Sequence, residues 1–348
     1  NHATVVFEIL HISCIKHQKT SSLLARWPAT IAGMTLNRFC SSSIDAIALA
    51  ALKVAAGHSS AVLAGGVEMM SRVPLMADRA RVFADHKYGV SHQVLLMGAG
   101  DDLIAERVGA SRADCDAVAY LSHQRALRAQ HEGRFTSVVP IKTPSGSVSL
   151  DECIRPSLTA ERLAAMPPAF LTLGAAGSDA VQLSQYPGLT KITHVHTAGN
   201  SPAMCDAAAV LLVGSKMLAS DQGLTPKVRI VDSVTCCGEP LEVVSGCVAA
   251  TKAILSRNKL SPSDVDVFEI HEAFAATIVK LQRELEIDSA RLNINGGCIA
   301  LGHPMGATGA IMAGTAIDEL MRCDGSIGII AASGAAGSGS ALLVERCY

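Results

Sequence analysis

The hydrophobic and polar positions of the chain fall into blocks of different period. Between Ser41 and Gly57 apolar residues cover nearly every face of a helical wheel, interrupted by Asp45 and Lys53, which predicts a buried helix in a layered protein. Ala61 to Gly66, "AVLAGG", then reads as a buried strand. The first forty residues, beginning "NHATVVFEILHISCIKHQK", carry one short strand-like run followed by polar residues, with neither an initiating methionine nor a targeting pattern. From about Pro74 to Pro202 the character changes: histidines, arginines, "TPSGS", "MPP" and "YPG" break the pattern, and an amphipathic helix signal spans Arg112 to Glu132. That stretch reads as an inserted subdomain. Beyond it, "CDAAAVLLVGSKMLASDQG" predicts a strand and then a helix, "KVRIVDSVT" opens a second half, and strand "DVFEI" precedes helix "AATIVKLQREL". Alternating strands and helices predict mixed or parallel sheets with helices on both faces.

One comparison within the chain carries more than any single element. Residues 40 to 66 run from Cys40 through a small-residue helix into "AVLAGG"; residues 303 to 337 run from His303 through "PMGATGAIMAGTAIDELM" into "IGIIAASG". Both blocks put a reactive side chain at a helix start, which implies an internal duplication that brings the two starts together. The expected division is a first half formed by residues 1–73 and 204–222, an inserted loop domain at 74–203, and a second half at 223–348.

Composition narrows the function. Hydrophobic residues make up 49% of the 348, charged residues 17%, and 29 are glycine, which suits helices laid closely on sheets. A net charge of -2 and no dense basic cluster exclude nucleic acid as a partner. Eleven cysteines, an odd number in a long chain without a signal peptide, predict free thiols in a cytoplasmic protein. The apolar stretch Ile327 to Val344 reads as strand, turn, strand because of its glycines and serines, so no transmembrane segment is expected. CxxC pairs are absent and the "HVH" of His194 and His196 has no matching ligand pair nearby in sequence, so no metal site is expected.

Cys40 is the candidate nucleophile. A cysteine at a helix N-terminus meets unpaired backbone N–H groups and the positive end of the helix dipole, and both favour thiolate. Around it, "NRFCSSS", "LAGGVEMMSRVP", "HEAFAA" and "NINGGCIALGHPMGATGA" occur in an order and spacing that resembles thiolases, especially the thiolase subunits of fatty-acid oxidation complexes, from about Leu36 to Arg346. The resemblance implies an α/β fold of five αβαβα layers, two duplicated halves with an inserted loop domain, assembled as a homodimer or homotetramer. It implies action on acyl-CoA thioesters with coenzyme A as co-substrate and no permanently bound cofactor. Cys40 would be acylated by a 3-ketoacyl thioester and hand the acyl group to coenzyme A. His303 would take the nucleophile's proton, and His271 would help hold the oxygen that becomes negative in the enolate. Ala273 and Phe274 match residues lining the acyl-thioester pocket; Met97, Gly98 and Ser201 match positions along the pantetheine arm.

Three positions depart from the family pattern. Ser333 stands where thiolases place a second acid/base cysteine, and a hydroxyl lacks the acidity for that work, which contributes about 10²–10⁴-fold. Pro202 replaces a serine, and the region before Leu36 is about half the family's length, so that the first half looks truncated at its start. Cys298, where the family usually has alanine, is a thiol that either compensates for Ser333 or packs as a small residue. Two alternatives to thiolysis follow: a thiolase-like acyl-CoA-binding protein of low or no activity, and a Cys-His-His ketosynthase-like condensing enzyme.

Overall fold

A computed structural model describes residues 3–8, 17–144 and 146–348. Segment 9–16 of the polar run near the start lies outside the described residues. Two four-stranded sheets form the framework. The first has the order β2-β1-β3-β4, from β1 (Ala3–Glu8), β2 (Ala32–Thr35), β3 (Ala61–Met69) and β4 (Asp206–Gly214); β1 runs parallel to β2 and β3, and β4 is antiparallel to β3. The second has the order β5-β8-β7-β6, from β5 (Val228–Cys237), β6 (Val267–Ile270), β7 (Ile327–Ser333) and β8 (Ser338–Arg346). There β6 and β7 are parallel and β8 is antiparallel to both β7 and β5. A parallel pair followed by an antiparallel neighbour thus recurs in both sheets, and both are mixed.

Two helices sit between the sheets: α1 (Ser42–Ala55) and α6 (Thr308–Cys323) pack on each other and each touches strands of both sheets. The period-2 alternation of the second sheet explains why both its faces are dry. Ile330, Ala332, Leu342 and Val344 join Ile44, Ile47, Met312 and Ala316 in the central core, while Ile329, Ala331, Ala341 and Leu343 face the opposite way, onto α4 (Gly246–Arg257) and α5 (Ala275–Leu285). From the intervening segment, α2 (Met97–Val108) and α3 (Arg112–His131) pack against α5. Ser111 caps α3 by accepting from Asp114 N–H while Asp114 accepts from Ser111 N–H, so this helix start is fixed locally. Burial of α1 is less complete than its pattern predicts: Leu52, on its last full turn, is 62% exposed. No described helix is long and apolar enough to cross a membrane.

The two central helices meet at their N-terminal turns. Ala310 N–H donates to Ser43 Oγ at 2.9 Å. A side-chain carbon at Gly309 would lie 2.9 Å from the Ile44 backbone nitrogen, so only glycine allows that approach. Gly66 within β3 has the same role against the loop before α6, its missing Cβ lying 2.7 Å from Ala307 Cα.

Candidate active site

Cys40 stands one residue before the Ser41 cap of α1. The bend that delivers it is held locally: Ser41 Oγ donates to the Arg38 carbonyl at 3.0 Å, Ser42 Oγ donates to the Phe39 carbonyl at 2.5 Å, and Arg38 N–H donates to Ser42 Oγ at 2.6 Å. Of the three serines after the cysteine, Ser41 and Ser42 are therefore turn chemistry, and Ser43 joins the two central helices. Phe39 has φ of 51° and Met305 φ of 34°, uncommon values for side-chain-bearing residues that concentrate at functional sites. These two strained residues meet: the half-buried Cys40 Sγ lies 3.9 Å from Met305 Sδ, and Phe39, Cys40, Met70 and Met305 share one small apolar cluster.

His303 is carried by the loop that leads into Met305. Its N–H donates to the Ala203 carbonyl at 2.7 Å, and its Nδ1 is 2.8 Å from Thr308 Oγ1 on the first turn of α6. Gly306 N–H donates to Glu68 Oε1 at 3.1 Å, so a buried carboxylate of the first sheet holds this loop of the second half. His271 follows β6 directly and extends its ladder, donating N–H to the Ala331 carbonyl at 2.9 Å. The His271 and His303 ring centroids are 4.4 Å apart. Cys298 Sγ joins them: one ligand-type atom from each of the three residues lies within 4.8 Å of the others.

Burial sets the charge states. Desolvation pushes the His271 imidazole down to about 4, with the Ser333 backbone opposing, and holds His303 well below its ordinary value, helped by His271. Both rings are neutral bases at neutral pH. Burial and the nearby Glu272 and Glu269 carboxylates push the Cys298 thiol up.

Glu272, beside His271, is a residue that sequence reasoning passed over. It accepts from Ser122 Oγ at 2.7 Å, Asn293 Nδ2 at 3.0 Å and Ile299 N–H at 3.0 Å, and Ser122 Oγ in turn accepts from Gly297 N–H. A carbon on Gly297 would fall 2.3 Å from Glu272 Cδ. This buried network shapes the loop carrying Cys298; the only signal for it was an acid inside the apolar run "HEAFAA".

The remaining predicted residues are distributed around this centre. Ser333 is fully buried, and its Oγ donates to the Val244 carbonyl at 2.6 Å while accepting Cys247 N–H at 2.9 Å. Ser201 Oγ is buried with no hydrogen-bond partner among the described residues. Ala273 is buried, and Phe274 packs edge-on against Phe170 at 5.7 Å. Gly98 opens α2 where a Cβ would sit 2.4 Å from the Phe170 ring. Met97 lines a cleft of about 470 Å³ together with Leu95, Tyr186, Leu241, Val243 and Ala336; none of the other predicted site residues lines it.

His194 and His196 occupy a loop. Partners distant in sequence satisfy both: His196 Nδ1 and His194 Nδ1 each lie 2.7 Å from an Asp102 oxygen, and His196 Nε2 lies 3.1 Å from Asp101. Burial lowers His196, but Asp101 and Asp102 overcome it and raise the imidazole to about 10. His196 lies under Phe274, the two rings 5.7 Å apart.

Comparison with known proteins shows the family and the fold. The profile described as "Thiolase, N-terminal domain" matches residues 13–217 and "Thiolase, C-terminal domain" matches residues 224–346. A 3-oxoadipyl-CoA/3-oxo-5,6-dehydrosuberyl-CoA thiolase of Escherichia coli K12 is 36% identical, over 94% of this chain and 83% of the relative. A 3-ketoacyl-CoA thiolase of Bacillus subtilis is 34% identical over 93% and 81%. The crystal structure of the Bacillus anthracis acetyl-CoA acetyltransferase superposes with a TM-score of 0.82 at 31% identity, covering 99% of this chain and 87% of that one.

Proposed function

The chain belongs to the thiolase family, as an acyltransferase of the acetyl-CoA C-acyltransferase type, and on that premise we propose that it cleaves 3-ketoacyl-CoA with coenzyme A through an acyl-Cys40 intermediate. The observation that carries this reading is the thiol at the start of α1 touching Met305 of the loop that bears a neutral, buried His303. His303 takes the Cys40 proton; the thiolate adds to the C3 carbonyl; the C2–C3 bond breaks, its electron pair passing to a thioester enolate that takes the His303 proton at C2 and leaves as acetyl-CoA. Coenzyme A then gives its thiol proton to the neutral His303 and attacks the acyl-Cys40 thioester, releasing the shortened acyl-CoA and the Cys40 thiolate, which takes the proton back. His271, neutral and with unpartnered nitrogens, supports the enolate oxygen. Ser333, its hydroxyl committed to two backbone groups, gives neither acid nor base, so turnover is slower than a second thiol would allow.

Met97, Gly98, Ser201, Ala273 and Phe274 are assigned to the acyl-CoA path, with the unpartnered Ser201 Oγ as the strongest support. The thiolase names of the relatives favour neither the binding-only nor the ketosynthase-like alternative. We assign a homodimer or homotetramer, since β4 is an edge strand that presents Val210 and Leu212, each more than half exposed. A cytoplasmic location keeps the ten described, unbridged cysteines reduced. Acetoacetyl-CoA and longer 3-ketoacyl-CoA substrates with free coenzyme A test the reading: acetyl-CoA release is expected, and a folded chain that releases none overturns it.

A further inference from the structure

Three ligand-type side chains converge in the centre of the molecule without hydrogen bonds that account for all of them. His271, Cys298 and His303 are 1%, 5% and 6% exposed, and one ligand atom of each lies within 4.8 Å of the other two. Neither ring nitrogen of His271 has a hydrogen-bond partner among the described residues, whereas buried polar groups are as a rule paired. His303 has Nδ1 on Thr308 Oγ1, which leaves Nε2 to carry the remaining lone pair when Nδ1 is the donor. The carboxyl groups of Glu269 and Glu272, both 3% exposed, lie close enough to act on the Cys298 sulfur, and burial raises both above the ordinary carboxylate range, so the three ligands themselves carry the case for a cation.

We propose that His271, Cys298 and His303 form a reversible binding site for a divalent cation of the zinc class, and that the occupied site cannot take acyl-CoA. Two neutral imidazoles and one thiolate are the donor set of a borderline-soft metal, whereas magnesium and calcium require oxygen. Bonds of about 2.0–2.1 Å to nitrogen and about 2.3 Å to sulfur require the three atoms to close by about 1 Å. The ligand set has outer support. Thr308 holds the far side of His303, and the Ser333 backbone faces the His271 ring, the kind of contact that orients metal-bound imidazoles. Binding converts Cys298–SH and the free dication into a sulfur–metal bond and one released proton. Three protein ligands leave a fourth position for water. Sequence spacing hides the cluster, because His271 lies 27 residues before Cys298 and no CxxC or HxxxH pattern joins the three.

The blocking clause rests on the acyl-transfer reading; the site does not. Cobalt(II) titrated into the chelator-treated chain is the probe, since thiolate ligation gives a sulfur-to-cobalt charge-transfer band in the near ultraviolet, and bound zinc is counted by elemental analysis after dialysis. Expected are one metal per chain, a band in the parent and in C40S, and loss of that band in C298S, a near-isosteric change whose folding is checked by circular dichroism. Absence of the band, or a band unchanged in C298S, overturns the site. Zinc should also inhibit acetoacetyl-CoA thiolysis competitively with acyl-CoA; full activity at saturating zinc overturns the blocking clause. A metal-free chain with no turnover but an intact C298S-sensitive band refutes the acyl-transfer reading and leaves the site standing.

Discussion

Replacing Gly309 by alanine tests whether the two central helices position the nucleophile and the base together. The new methyl carbon would lie 2.5 Å from Ile44 Cγ1, 2.9 Å from the Ile44 backbone nitrogen and 3.1 Å from Ser43 Oγ. Ile44 is fully buried in the central core, so neither its side chain nor its backbone can yield without moving α1. Overpacking of this kind costs about 1–3 kcal/mol, and disturbing the Ala310 N–H bond to Ser43 Oγ adds about 1–3 kcal/mol if the donor is left unpaired. The two costs overlap, because the shift that relieves the clash is the one that stretches the bond. Alanine returns at most about 1 kcal/mol of helix propensity, so the expected net loss is about 1–3 kcal/mol. That leaves a folded protein, since domains hold about 5–15 kcal/mol. Catalysis should suffer more: α1 and the loop before α6 carry Cys40 and His303, and displacement of about 1 Å costs on the order of 10²-fold in rate. Urea midpoints and kcat/KM for acetoacetyl-CoA thiolysis read the two effects. Gly314→Ala in the same helix is the control, because its methyl meets only Ser137 Oγ at 3.3 Å; its stability should hold or rise by up to about 1 kcal/mol, with activity kept. A Gly309→Ala chain as stable and as active as the parent would refute the helix contact and the positioning derived from it.

Three further outcomes follow from the site. The base that accepts the Cys40 proton must be neutral, and His271 and His303 stay neutral down to well below pH 6.5; the acid limb of kcat/KM should therefore lie below pH 6.5, and a break at or above that value contradicts the burial argument. Ser333→Ala removes the acceptor of Cys247 N–H and the donor to Val244, so urea denaturation should show a loss of about 1–3 kcal/mol, and an unchanged midpoint would show that the hydroxyl has no such role. Asp102→Asn takes a carboxylate from beneath two imidazoles and the N–H groups of Val195 and His196, with an expected loss of about 3–5 kcal/mol for a broken buried ion pair. The protonated His196 contributes stability fully below pH 6.5 and loses it as pH rises through about 10, so the parent's advantage over Asp102→Asn should shrink in alkali.

Much of this architecture was legible because local pattern and tertiary role coincide. The strands "AVLAGG", "KVRIVDSVT" and "DVFEI", and the turn within Ile327 to Val344, occur where their pattern places them, and the two reactive residues at helix starts were visible as a repeated layout. Leu52 shows the limit of a wheel: an all-round apolar helix still left one leucine 62% exposed near its end. What was hidden depends on distance along the chain. "HVH" looked unpartnered because Asp102 precedes its two rings by 92 and 94 positions. The convergence of the Cys298–His303 segment on His271 and the commitment of the Ser333 hydroxyl to Val244 and Cys247 are set by how distant segments cross, which no local period encodes.

The most direct measurement is mass spectrometry of the chain mixed with acetoacetyl-CoA and quenched before coenzyme A is added. A single acetyl group on the peptide containing Cys40, absent from C40S, is the predicted result. An unmodified Cys40, or an acetyl group on Cys298 in its place, would contradict the account.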